Sequence, residues 1–177
     1  MNSRKQTAVK SSLIETVFDL LEIAMYALVL VAVLFAFFVR IVEVDGPSMN
    51  NTLSDGDRLV LSKAFYSPER GDIVVIKREG NNPLIKRVIG LENETVMVDR
   101  DKDVVYIDGH ILEEPYVEYP NTPGLKEPVV VPPGHVFVLG DHRNNSTDSR
   151  VLGCIPEEDI LGKAVLRFFP FDQFGTF

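Results

Sequence analysis

The sequence predicts a mainly β fold: a single N-terminal transmembrane helix followed by a mostly antiparallel β domain. Three observations carry this expectation. Residues 23–39 run for seventeen positions without a charge. Behind them, short Val-, Ile- and Leu-rich runs alternate with turn residues at close spacing. Twelve glycines and eleven prolines occur without any period in 177 residues, which suits a loop-rich β domain better than a helical bundle.

The apolar run is extended by Leu20 and Leu21 around a lone Glu22 and closed by Arg40. A helix needs roughly 20 apolar residues to cross a bilayer, and charged side chains at its ends reach out to the headgroups. A cleavable leader would end in small residues, but Phe37, Phe38, Val39, Arg40 and Ile41 are bulky. A buried core helix would carry a polar face at helical spacing, and residues 23–39 have none. The expected organisation is therefore a tail over 1–19, an anchor over 20–41 and an exposed domain over 42–177. Arg4, Lys5 and Lys10 precede the span while Arg40 and Arg58 follow it, a small charge bias that puts the amino terminus in the cytoplasm and the domain on the outer face.

Composition narrows the function classes. The net charge is −8, and the first forty residues hold four basic and three acidic groups, so the rest carries −9 and offers no nucleic-acid footprint. The one cysteine, Cys154, excludes an intramolecular disulfide and a cysteine zinc cluster.

Val42 and Val44 alternate with Glu43 and Asp45 until Gly46-Pro47 ends the pattern, so a short strand delivers Ser48 onto an exposed bend. Further strands are expected over 59–61, 73–76, 84–91, 95–98, 104–107, 110–112, 135–139 and 162–169, with turns at 67–72 and 81–83. Asp108-Gly109 between two apolar runs is a strong two-residue hairpin signal. Six prolines fall within 113–133, which forbids a central strand there and marks an insertion within the domain. The polar loop over 140–150, set between apolar strands, is a candidate working loop.

Lys86 stands inside an otherwise apolar strand face that it shares with Leu84 and Val88. A serine hydroxyl needs a base within hydrogen-bond reach, and His110, His135 and His142 lack the context of a triad, with no G-x-S-x-G elbow around any serine. A lysine in apolar surroundings loses its proton more readily and can be that base. A solvated strand lysine resembling Lys77 is the plain alternative, and spacing alone does not separate the two.

Five ordered motifs shift the balance. Gly46-Pro47-Ser48-Met49-Asn50-Asn51-Thr52-Leu53 directly after the anchor, Asp57-Arg58-Leu59-Val60, Arg70-Gly71-Asp72-Ile73-Val74, Lys86-Arg87-Val88-Ile89-Gly90 and the 140–150 loop together closely resemble the bacterial type I signal peptidases, over nearly the whole chain. The resemblance implies a β catalytic domain of that type in the bacterial cytoplasmic membrane, a serine endopeptidase that removes signal peptides from exported preproteins after small residues in an A-x-A pattern. It assigns Ser48 as nucleophile and Lys86 as general base, has Ser146 orient the lysine, and has Asp148 and Arg150 pair to hold their loop. The first oxyanion donor is the Ser48 amide. Some relatives carry a hydroxyl two residues earlier, where this chain has Gly46, so backbone or water has to substitute for it. Asn51 stands where proline is common and His142 where asparagine is frequent. Val44, Met49, Leu53 and Ile85 are candidates for shallow apolar substrate pockets, though as core residues they would look the same. Expected partners are signal peptides of secreted preproteins and the phospholipid bilayer, with the export machinery as a further one that the resemblance allows; no nucleic acid, metal or cofactor is expected. An anchored site and a membrane-borne substrate meet at high effective concentration.

Four rival readings stay in view. A self-cleaving repressor would carry a DNA-binding head where this chain has its apolar run. A sortase-like enzyme would use Cys154, but Gly153-Cys154-Ile155-Pro156 lacks the T-L-x-T-C lead-in. Asp141, His142 and Asp148 have no recognised metal spacing. A non-catalytic membrane-tethered β module would bind a partner through the proline-rich stretch.

Overall fold

The computed structural model describes residues 2–62, 66–78, 80, 82–117 and 123–177, with side chains left aside at 2–14 and 34–39. Two compact units emerge, Met1–Val39 and Arg40–Phe177.

The first unit is one helix, α1 (Asn2–Phe38), in which Glu15–Val33 is long and apolar enough to cross a membrane. None of that window is buried against protein, unlike the core helix of a soluble domain. Within it the Tyr26 hydroxyl donates to Glu22 at 2.9 Å, one turn back, giving the lone acid a partner. The helix stops at Phe38 and the chain is already a strand from Val39. The helical part of the 20–41 stretch is thus three residues shorter than expected, because Val39, Ile41 and Val42 favour extended backbone.

The second unit is built from two antiparallel sheets. The larger comprises β1 (Val39–Glu43), β2 (Arg58–Ser62), β3 (Ile73–Ile76), β4 (Leu84–Gly90), β9 (His135–Leu139), β10 (Ile155–Pro156) and β11 (Ile160–Phe169), in the order β1-β2-β11-β3-β4-β9-β10. The smaller comprises β5 (Thr95–Asp99), β6 (Val104–Ile107), β7 (His110–Ile111) and β8 (Val129–Val130), in the order β7-β6-β5-β8. Asp108 and Gly109 have φ of 48° and 81°, the positive values that a type I′ hairpin requires between β6 and β7. β8 lies in the proline-rich stretch and is an edge strand, as the loss of ladder donors at proline demands. Residues 118–122 of that stretch, and Asn81 of the expected turn after β3, lie outside the described residues.

Some boundaries differ from the sequence reading. β4 ends one residue early at Gly90, and β11 begins two residues early at Ile160. The polar loop contains a short helix, α2 (Ser149–Leu152), because the Asp148 side chain caps its start by accepting from Arg150 N. β8 and β10 are two-residue strands, too short for periodicity to reveal.

β4 is central, paired with β3 and β9, and its residues from Ile85 onward are buried. One face joins Ile85 to Val44, Met49, Leu53, Leu59 and Ile73 in an apolar cluster, while Val88 packs with Val74, Val136 and Val138 on the other. Ile89, Phe137 and Leu139 fasten the small sheet through Val96, Val98 and Val105. Gly90 sits at that junction, where an added Cβ would lie 2.4 Å from Val96 Cγ2 and 3.1 Å from Phe137 Cβ. Gly90→Ala is expected to cost about 1–3 kcal/mol by overpacking, read as a lower urea midpoint at unchanged m-value in detergent; an unchanged midpoint would show that the junction yields freely.

Candidate active site

β1 hands the chain to a loop that closes on itself: Val44 N donates to Asp57 O at 2.8 Å and Gly56 N to Val44 O at 2.9 Å. Its apolar side chains Met49 and Leu53 are fully buried, and Leu53 N donates to Met49 O at 2.8 Å, so one helical turn is pinned to the core. Ser48 sits at the start of that turn and stays half-exposed. The polar loop grips it from the other side, where His142 N donates to Ser48 O at 3.1 Å and the His142 ring lies 3.2 Å from Pro47 O.

Lys86 comes from the middle of β4, opposite Val74, and is 1% exposed. Its Nζ lies 2.7 Å from Ser48 Oγ and donates to Ile85 O at 2.8 Å. The alternation read from sequence, which set Lys86 between Leu84 and Val88, thus puts an amine inside the sheet with its tip on the serine. Burial lowers its pKa from 10.5 to about 8; Asp148 and Asp141 pull upward against this, and Arg150 and Arg78 push further down.

Buried ion pairs hold the surrounding backbone. Arg87, the next residue on β4, clasps Asp141 at 2.9 and 2.6 Å, donates to Gly71 O at 2.8 Å, and stacks over the Tyr116 ring at 4.0 Å. Thr52 Oγ1 donates to the same Asp141, tying the Ser48 loop to the polar loop. Asp148 accepts from Arg150 Nε at 2.8 Å and Nη2 at 2.7 Å and from Gly140 N at 3.1 Å. Arg143, 2% exposed, donates to Gly140 O at 3.1 Å and pairs with Glu114, so the proline-rich stretch is clamped onto the polar loop.

The other expected site residues fall as follows. Ser146 lines the cleft with Ser48 and Lys86, but its Oγ is buried without a hydrogen-bond partner among the described residues and makes no contact with Lys86 Nζ of hydrogen-bond quality. Gly46, at φ 89°, commits its N–H to Asp55 Oδ1 at 2.7 Å. Ile85 lines an apolar pocket of about 230 Å³ together with Val42, Val75 and Pro83; Val44, Met49 and Leu53 are buried in the adjoining cluster and do not line it. Sequence reading missed Val42 and Val75, although Val42 shares the alternation of Val44 and Val75 registers with Ile85. It also missed Arg87, Thr52 and Glu114 as supports. The histidine rings of His110 and His135 lie against the backbone carbonyls of Asp108 and Pro133. Cys154 packs on the small-sheet cluster and burial pushes its thiol pKa up, opposite to what a thiolate nucleophile needs.

Known proteins resemble this chain closely. The family model described as signal peptidase, peptidase S26, matches residues 17–169. A probable signal peptidase I-1 from Synechocystis is 41% identical, covering 85% of this chain and 82% of the relative. A signal peptidase I from Bacillus licheniformis is 38% identical over 98% of this chain and 97% of its own. The crystal structure of a signal peptidase I from Enterococcus faecalis aligns at TM-score 0.49 and 32% identity, covering 56% of this chain and 98% of that one.

Proposed function

The chain belongs to the signal peptidase family, peptidase S26, and so is a peptidase that removes signal peptides; from that premise we propose that Ser48 is its nucleophile and Lys86 its general base. One observation carries the proposal: the Lys86 amine lies 2.7 Å from the Ser48 hydroxyl in a setting that brings its pKa to about 8.

Neutral Lys86 takes the Ser48 hydroxyl proton as Oγ attacks the scissile carbonyl, and the oxyanion forms against the Ser48 amide. The ammonium then gives that proton to the leaving amine, which departs as the new N-terminus of the mature protein. Water, deprotonated by the again neutral Lys86, hydrolyses the acyl-enzyme and returns Ser48. Arg87–Asp141, Asp148–Arg150 and Arg143–Glu114 fix the two loops, while Ser146 faces the same cleft as a hydroxyl that can meet the amine once substrate excludes water. Small residues before the scissile bond suit the modest pocket at Val42, Val75 and Ile85. Family membership disfavours the non-catalytic module.

The helix is the proposed anchor in the bacterial cytoplasmic membrane, with residues 1–19 inside and 42–177 outside. Protease added to intact cells is expected to digest the domain, and protection until lysis would reverse the orientation.

The mechanism is tested by kcat/KM against pH for full-length protein in detergent, on a presecretory reporter with an A-x-A site. Below pH 8 Lys86 is protonated and cannot accept the serine proton, so the rate is expected to rise about tenfold per pH unit and level off above about 8. A profile flat from pH 5 to 10 would reject a lysine base.

A further inference from the structure

The catalytic cleft, about 330 Å³, is lined by Ser48, Lys86, Leu84, Asp45 and the polar side chains 144–147, and also by Arg78 from the connection between β3 and β4. Beyond Val39 the chain has nine arginines, of which Arg40 and Arg100, both exposed, make no ion pair among the described residues. Arg58, Arg70, Arg87, Arg143, Arg150 and Arg167 each pair with a carboxylate. Arg78 pairs with none among the described residues, although it is half-buried and Asp45 lines the same cleft. Asp45 accepts instead from Asn82 Nδ2 at 2.9 Å. Arg78, Asp45 and Leu84 also border a second concavity with Pro83, so Arg78 lines both the cleft at Ser48 and this neighbouring hollow.

A half-desolvated guanidinium without a counterion favours an incoming anion, and Arg carries its fork of donors charged at every working pH. Lys86 must be neutral when it acts as base, which leaves Arg78 as the permanent cation of the cleft. A peptide whose carbonyl is held at Ser48 enters the cleft that Arg78 also lines. We propose that Arg78 is a specificity residue of this cleft, pairing with a carboxylate side chain that the preprotein carries close to its scissile bond. The inference rests on Ser48 and Lys86 being the reacting pair.

The test uses the full chain in detergent and a set of otherwise identical reporters with Asp, Asn or Lys placed in turn at each position flanking the A-x-A site. At one position wild type is expected to prefer Asp over Lys by about tenfold in kcat/KM, the scale of a partly desolvated charge contact plus its like-charge counterpart. Arg78→Gln is expected to level that ratio and Arg78→Glu to invert it. The ratio is the readout because any effect of Arg78 on the Lys86 proton, or on the folded fraction, acts on every reporter alike. Equal rates for Asp and Lys at all positions in wild type, or an Asp preference that survives Arg78→Gln, would overturn the inference while cleavage itself upholds the proposed function. Failure to cleave any reporter would overturn both. A further arm compares detergent with vesicles rich in anionic lipid: if Arg78→Gln abolishes stimulation by those vesicles while the reporter ratios stay as in wild type, the guanidinium reads lipid headgroups and the peptide assignment is wrong.

Discussion

Ser48→Ala and Lys86→Met are each expected to lower kcat/KM by about 10⁴-fold, and the double variant to be no slower than either, because the proposed nucleophile and base act as one unit. The two variants should differ in stability. Ser48 is half-exposed, so its hydroxyl leaves little behind. Lys86 is buried with its pKa at about 8 against an ordinary 10.5, and the gap is a folding cost of about 3 kcal/mol borne by the charged form. Below about pH 8 both folded and unfolded chains hold the proton and the whole cost is felt. Between 8 and 10.5 the unfolded chain binds more protons than the folded one, so stability rises with pH. Above 10.5 the cost is gone. Methionine fills much the same volume without a charge, so Lys86→Met should raise the urea midpoint at pH 7 and flatten the pH dependence of stability above 8. A stabilised but inactive Lys86→Met separates a catalytic lysine from a structural one. Activity within tenfold of wild type would refute the assignment, whereas a lower midpoint at pH 7 would show that the lost Nζ hydrogen bonds outweigh the relieved burial cost.

The parts of this arrangement that sequence made legible are those encoded in local pattern. Two-residue alternation put Lys86 on an apolar strand face, Asp108-Gly109 announced its hairpin through the positive φ it can adopt, and Gly46-Pro47 ended a strand just before Ser48. The supports were hidden because they join residues far apart. Arg87 finds Asp141 fifty-four positions on, and Arg143 reaches back twenty-nine to Glu114. Any of several acidic residues could have answered either arginine, and only tertiary proximity selects among them. The α2 cap was present as Asp148 before Ser149, yet the polarity of 140–150 masked it as plain loop. The pocket was half legible: Ile85 lines it, but which apolar residues border a hollow and which fill the core depends on how the Ser48 loop folds over the sheet.

Gly140 is the position where backbone shape and chemistry meet, and Gly140→Ala is the second substitution expected to have a large effect. Its amide is held by Asp148 and its carbonyl by Arg143, so the residue has no room to retreat. A Cβ there would stand 2.3 Å from Ser146 Oγ, 2.6 Å from Ser146 Cβ and 2.5 Å from the Ser48 carbonyl oxygen. Ser146 can rotate, but the Ser48 carbonyl belongs to the backbone that carries the proposed nucleophile and is bound by His142 N. Relief therefore moves Ser48 relative to Lys86, and displacements near 1 Å cost about 10²-fold in rate. The expected result is a fall in kcat of about 10²-fold with KM nearly unchanged, and a stability loss of about 1–3 kcal/mol from overpacking. Because the limiting contact is with main chain, adding Ser146→Gly should restore stability in part but not kcat. Full recovery of kcat in that double variant would show instead that the clash runs through Ser146 alone, and that Gly140 serves the loop rather than the nucleophile.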